Sequence, residues 1–120
     1  MKNILTTIPR SKFKTWDDCE KILKKCDGED KKIRRAMFWL INTNNLPKKS
    51  EIGNLCYMVF DGMIRGYFDI VDFDESENWR EKHGIGKKRN TKCIVMANWH
   101  PIKPVPYVGF QGWRYTEMRP

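Results

Sequence analysis

The sequence predicts an α+β domain, a curved sheet of strands with a helix on its N-terminal side. Three observations carry that reading. Asp61-Gly62 stands between two runs rich in β-branched and aromatic residues, the pattern of a β-hairpin closed by a tight type I′ turn. Trp16, Cys19, Ile22, Leu23 and Cys26 recur at helical spacing and make one apolar face. The run 54–60 is apolar on both of its faces, as a strand inside a closed barrel must be.

The elements follow in order. The helix is expected over 15–26, with Thr15 as N-cap and Asp18 three residues on as a variant capping box. Acids in its first turn and Lys24 and Lys25 in its last suit the macrodipole, and Gly28 stops it. Ala36-Met37-Phe38-Trp39-Leu40-Ile41 is a short apolar run bounded by asparagines. It reads as a buried strand, with a helix as the alternative. The hairpin strands are expected over 54–60 and 64–71, with Gly66 marking a bulge or bend. Residues 72–91 are polar, with a short helix over 74–82 carrying Trp79 and a basic loop over 84–90. A strand at 93–97 precedes Pro101, Pro104 and Pro106, which keep the chain extended or turning. A last strand is expected over 113–117.

At 120 residues and 40 % hydrophobic content the chain is large and apolar enough to form one folded domain over 1–120. No apolar run is long enough to span a bilayer, and the first nine residues lack the charge and apolar length of a secretory leader. Cys19, Cys26, Cys56 and Cys93 form no C-x-x-C pair, and only His83 and His100 could join them. No metal and no cofactor are expected. Scattered thiols fit a reducing cytosol, so the expected location is cytoplasmic. The net charge is +8, and it is unevenly spread: residues 1–60 carry +6, residues 61–79 carry −5 and residues 80–120 carry +7. Basic surfaces split by an acidic stretch suit a polyanion, because neutralising phosphates releases counterions.

The stretch Phe38-Trp39-Leu40-Ile41-Asn42, the Pro-Lys loop after it, Ile52-Gly53-Asn54 before a strand, and Gly62-x-Ile64-x-Gly66 in the return strand resemble the central region of PUA-like domains. That superfamily includes the ASCH, EVE and YTH domains. The resemblance covers residues 36–72 well and the last strands loosely. It implies a mixed β-pseudobarrel of about five or six strands with one or two flanking helices, the barrel occupying about 36–117. It also implies a nucleic-acid ligand. The Gly-x-Lys-x-x-Glu-x-Arg motif of ASCH domains is absent, and the aromatic cage of YTH domains does not map residue by residue. Fold and ligand class are therefore what the resemblance implies, with no catalytic set.

The residues themselves suggest how such a ligand would be held. A splayed-out base needs a π-face to stack on and a cation for its phosphate. Trp39, Trp99 and Trp113 are the candidate platform, with plain packing as the alternative for each. In Gly109-Phe110-Gln111-Gly112-Trp113-Arg114-Tyr115 the glycines permit close approach, Gln111 can read a base edge, and Arg114 can pair with a phosphate. Asn42 and Asn98, just past two expected strands, are base-reading or turn residues. Lys87-Lys88-Arg89 is the candidate phosphate-contacting run, with Arg34 and Arg35 as a second basic wall. No nucleophile elbow, P-loop or dinucleotide fingerprint points to an enzyme. Three readings result: a module that binds RNA or single-stranded or modified DNA, a small nucleoside or nucleobase hydrolase on the same fold, and a protein-interaction factor of phage or mobile-element origin.

Overall fold

Ile4 and Leu5 stand in a short run of apolar and β-branched residues at the start of the chain, and this run forms the strand that ties the sheet together. In the computed structural model, which describes residues 1–30, 35–78 and 91–120, β1 (Asn3–Thr7) pairs in parallel with β5 (Leu55–Phe60) and antiparallel with β8 (Trp113–Thr116). The sheet thus begins at Asn3, well ahead of the barrel start expected at 36. β6 (Met63–Glu75), β7 (Lys92–Pro106) and β4 (Trp39–Thr43) complete a six-stranded mixed sheet in the order β4-β7-β6-β5-β1-β8. A two-stranded sheet, β2 (Gly28–Asp30) with β3 (Arg35–Met37), stands apart. Among the described residues no helix is long and apolar enough to cross a membrane.

The hairpin forms as the residues dictate. Asp61 and Gly62 both take positive φ (53° and 72°), which a type I′ turn requires. Beyond it β6 breaks register at Arg65, where Met58 faces Gly66 but Val59 faces Ile64. This bulge swings Arg65 toward the inner face, where its guanidinium lies 5.1 Å from the Trp16 ring centroid. Gly66 is obligatory there: a Cβ would run into the His100 carbonyl and stand 2.7 Å from the Trp99 ring.

Helix α1 (Trp16–Lys25) covers the inner face. Its first turn is capped as expected, the Asp18 amide donating to Thr15 Oγ1 at 3.2 Å. Cys19, Leu23 and Cys26 meet Phe68, Ile70, Ile94 and Met96 of the sheet in one buried core. Burying each of the large apolar side chains contributes about 1.5–3 kcal/mol. Asn98, at φ 65°, inserts an irregularity into β7. It resets the strand's alternation, so that Met96 and Trp99, three residues apart, both face the helix.

Several expectations are corrected. The run 36–41 is not one buried strand: it divides at Phe38, and β4 is a half-buried edge strand. The acidic residues Asp69, Asp72 and Asp74 lie within β6, which pairs with β7 as far as Glu75, so no helix begins at Asp74. Residues 76–78 are helical, and the rest of the expected helix, with Trp79, lies outside the described residues. The strand expected over 93–97 runs on to Pro106, the prolines keeping the chain extended. Pro101 and Pro106 pair with Gly66 and Met63, on a stretch whose other side carries no strand because β4 reaches only to Met96. An N-substituted residue is tolerated along such an edge. Asn42 and Asn98 stand inside β4 and β7 rather than past strand ends.

Candidate functional site

The two edge strands, β4 and β8, stand at opposite ends of the sheet order, and the loop after β4 ties them together. Trp113 Nε1 donates to the Asn45 carbonyl at 2.9 Å, and the Lys49 amide donates to the Tyr115 hydroxyl at 3.0 Å. The end of β1 and the turn after it oppose β4. Between them lies a cleft of about 230 Å³, lined by Thr6, Thr7, Ile8, Pro9 and Lys12 on one wall and by Trp39, Leu40, Ile41 and Asn42 on the other, with Met58 and Gly112.

Lys12 sits in the short 3-10 turn Arg10–Lys12, which Pro9 opens. Its Nζ lies 5.3 Å from the Trp39 ring centroid, a cation–π distance. Phe13 braces Trp39 from 6.3 Å. The threonines hold the neighbouring segment: Thr6 Oγ1 donates to the Gly112 carbonyl at 2.8 Å, and the Phe110 amide donates to Thr7 Oγ1 at 3.1 Å. Arg10 is drawn to Asp61 at 3.1 Å. None of the described residues lining this cleft is a carboxylate, imidazole or thiol. Among the described residues no three of His, Cys, Asp and Glu converge as a metal site would require.

The sequence-based candidates fall in different places. Trp39 and Asn42 line the cleft, and Gly112, between Gln111 and Trp113, joins them. The Asn42 side chain is drawn away, its Oδ1 accepting from Ser76 Oγ at 2.7 Å. Gln111 is exposed. Trp113 is half-buried on the inner core and packs edge-on to Tyr115 at 4.9 Å. Trp99 is half-buried under α1, 5.9 Å from Trp16 and 5.2 Å from Phe68, with Nε1 directed at Glu20; it does not line the cleft. Arg114 projects to the sheet's outer face, where it covers Phe110 at 4.2 Å. Asn98 is exposed and donates to Asp69 Oδ2 at 3.2 Å. Lys87, Lys88 and Arg89, like Arg34 and the basic loop over 84–90, lie outside the described residues, and of Arg35 only the backbone is described. Lys12, Thr6 and Thr7 are the polar cleft residues that sequence reasoning missed. No local signal marks Lys12 among the lysines; its position follows from the pairing of β1 with β5.

The sheet order and flanking helix define an α+β half-barrel of the PUA-like, ASCH type. The crystal structure of ASCH from Zymomonas mobilis shares it with a TM-score of 0.61, over 97% of this chain and 88% of that one, at 8% sequence identity. A tyrosine-to-phenylalanine variant of the same protein also gives 0.61, over 98% and 91% at 8% identity. A serine-to-alanine variant gives 0.59, over 97% and 89% at 8% identity. At such identity the likeness is one of fold. Within that fold class the chain belongs to the family described as protein of unknown function DUF1489, which its residues 13–119 match. None of the curated proteins matches it.

Proposed function

We propose that this chain is a nucleic-acid-binding module whose cleft between β1 and β4 takes one exposed base of RNA or of single-stranded or modified DNA. The observation that carries this reading is the Lys12–Trp39 pair at the cleft. An indole gives any base a face to stack on, and the lysine gives its phosphate a partner. Lys12 is exposed, so its chain can yield the ring face to a base at small cost and remain beside the backbone. The net charge of +8 supplies a general attraction for a polyanion. A cleft of about 230 Å³ is smaller than the roughly 300–1,000 Å³ of drug-sized sites, which suits a single heterocycle. Its described lining offers stacking and hydrogen bonds, which suits binding.

The test is the affinity of labelled single-stranded RNA, single-stranded DNA and duplex, measured by fluorescence anisotropy at low and moderate salt. Saturable single-strand binding that weakens with salt is expected. Trp39→Ala should cost about 1–3 kcal/mol of that binding, and Lys12→Ala should lower the salt slope by about 1. Wild-type affinity in both variants would sink the proposal. Silence toward every polymer would turn attention to a protein partner.

A further inference from the structure

The β4 wall of the cleft consists of four consecutive residues, Trp39, Leu40, Ile41 and Asn42. Successive side chains of a strand point to opposite faces, and here they do. Trp39 and Ile41 pack on the inner core, Leu40 packs on the outer side with Cys93 and Val95, and Asn42 turns to Ser76. A cavity facing one side of the strand would touch every second residue. A cavity that touches four in a row abuts the strand's edge, the line along which main-chain N–H and C=O groups project. That edge is open. β4 ends the sheet, its ladder goes to β7 alone, and no backbone bond from another described residue reaches its far side.

The side chains around the cleft are meanwhile engaged: Thr6 with Gly112, Thr7 with Phe110, the Asn42 carbonyl with Ser76. We infer that the cleft reads its base with the main-chain edge of β4, Trp39 supplying the stacking surface and no side chain supplying the code. This rests on the base-binding reading above. An unpaired edge offers donors and acceptors in alternation, and so does the Watson–Crick edge of a base. The cleft's size argues for a base over a peptide, because a strand pairing with all of β4 would need a channel about 16 Å long.

Proline substitution tests this with an internal control. Neighbouring residues of an antiparallel strand direct their N–H groups alternately toward the partner and away from it. Of Leu40→Pro and Ile41→Pro, one therefore removes a ladder donor to β7 and lowers Tm, and the other removes an edge donor and spares the fold. Binding to RNA homopolymers of A, C, G and U gives the base preference as a ratio of Kd values. The edge variant should narrow that ratio by about tenfold while holding the weakest-bound homopolymer as before, and Asn42→Ala should leave the ratio intact. An unchanged ratio in the edge variant, or a collapsed one in Asn42→Ala, overturns the inference. Should both prolines unfold the chain, main-chain amide shifts of the wild type decide. Movement of alternate β4 amides on saturation with the preferred homopolymer supports the inference, and still β4 amides overturn it. Wild-type affinity in both Trp39→Ala and Lys12→Ala defeats the base-binding reading itself, and this inference with it, as a separately recognisable result.

Discussion

Trp99 and Trp39 stand on the inner face of one sheet, both half-buried, and they are put to opposite uses. Trp99 belongs to β7, under α1. Trp16 and Phe68 pack around it, its N–H is directed at Glu20, and Gly66 exists to make room for it. Trp39 belongs to the edge strand β4, beyond the helix, with Lys12 over the ring and a cleft beside it. The residue type is the same. The strand's place in the sheet order decides whether the ring closes a core or borders a cleft.

That contrast can be broken or sharpened by measurement. Phe68→Ala, in the closed region, should cost about 3–5 kcal/mol of stability, read by chemical denaturation. Trp39→Ala, measured the same way, should cost distinctly less; equal losses would erase the distinction. Gly66→Ala comes next, at about 1–3 kcal/mol, because the His100 carbonyl that a Cβ meets is main chain and cannot step aside. Alkaline pH should then weaken the fold. Burial pushes the Cys19 thiol up to about 12 and the Cys26 and Cys93 thiols up to about 11, from an ordinary 9.0, and raises Cys56 as well. Above about pH 9 the unfolded chain releases these protons while the native chain keeps them, so stability present at neutral pH falls as pH climbs toward 11. Denaturation midpoints should drop between about pH 9 and about pH 11, and less steeply in Cys26→Ala. The smallest effect is Thr15→Ala, about 1 kcal/mol through the lost helix cap, with ligand affinity unchanged.

Local rules made some of this legible in advance. Asp61-Gly62, the helix stripe from Trp16 to Cys26 and the last strand at Trp113 each carry their signal within a few residues. The sheet's interior was harder. Arg65 and Asn98 each interrupt the two-residue period, so residues that share a face no longer alternate in the sequence. β1 offered a short run of apolar and β-branched residues closed by Pro9, too brief to stand out as a strand. The cleft was legible through Trp39, an aromatic residue in an apolar run, through Asn42 close behind it, and through Gly112. Lys12 and the open edge of β4 depend on which strands become neighbours, and no window of sequence records that.

The pairing of Asn3 with Thr116 and of Ile4 with Tyr115 has a consequence for how the molecule comes into being. β1 is made early in synthesis, yet both strands that flank it come later, β8 last of all. Contacts so distant along the chain are slow to form. On the ribosome, β1 must wait with unpaired backbone, first for β5 and then for the final strand. Any stall before residue 113 leaves that backbone as a template for a second nascent chain. The cleft, which needs Gly112 beside Thr6, is assembled only when synthesis has passed that point.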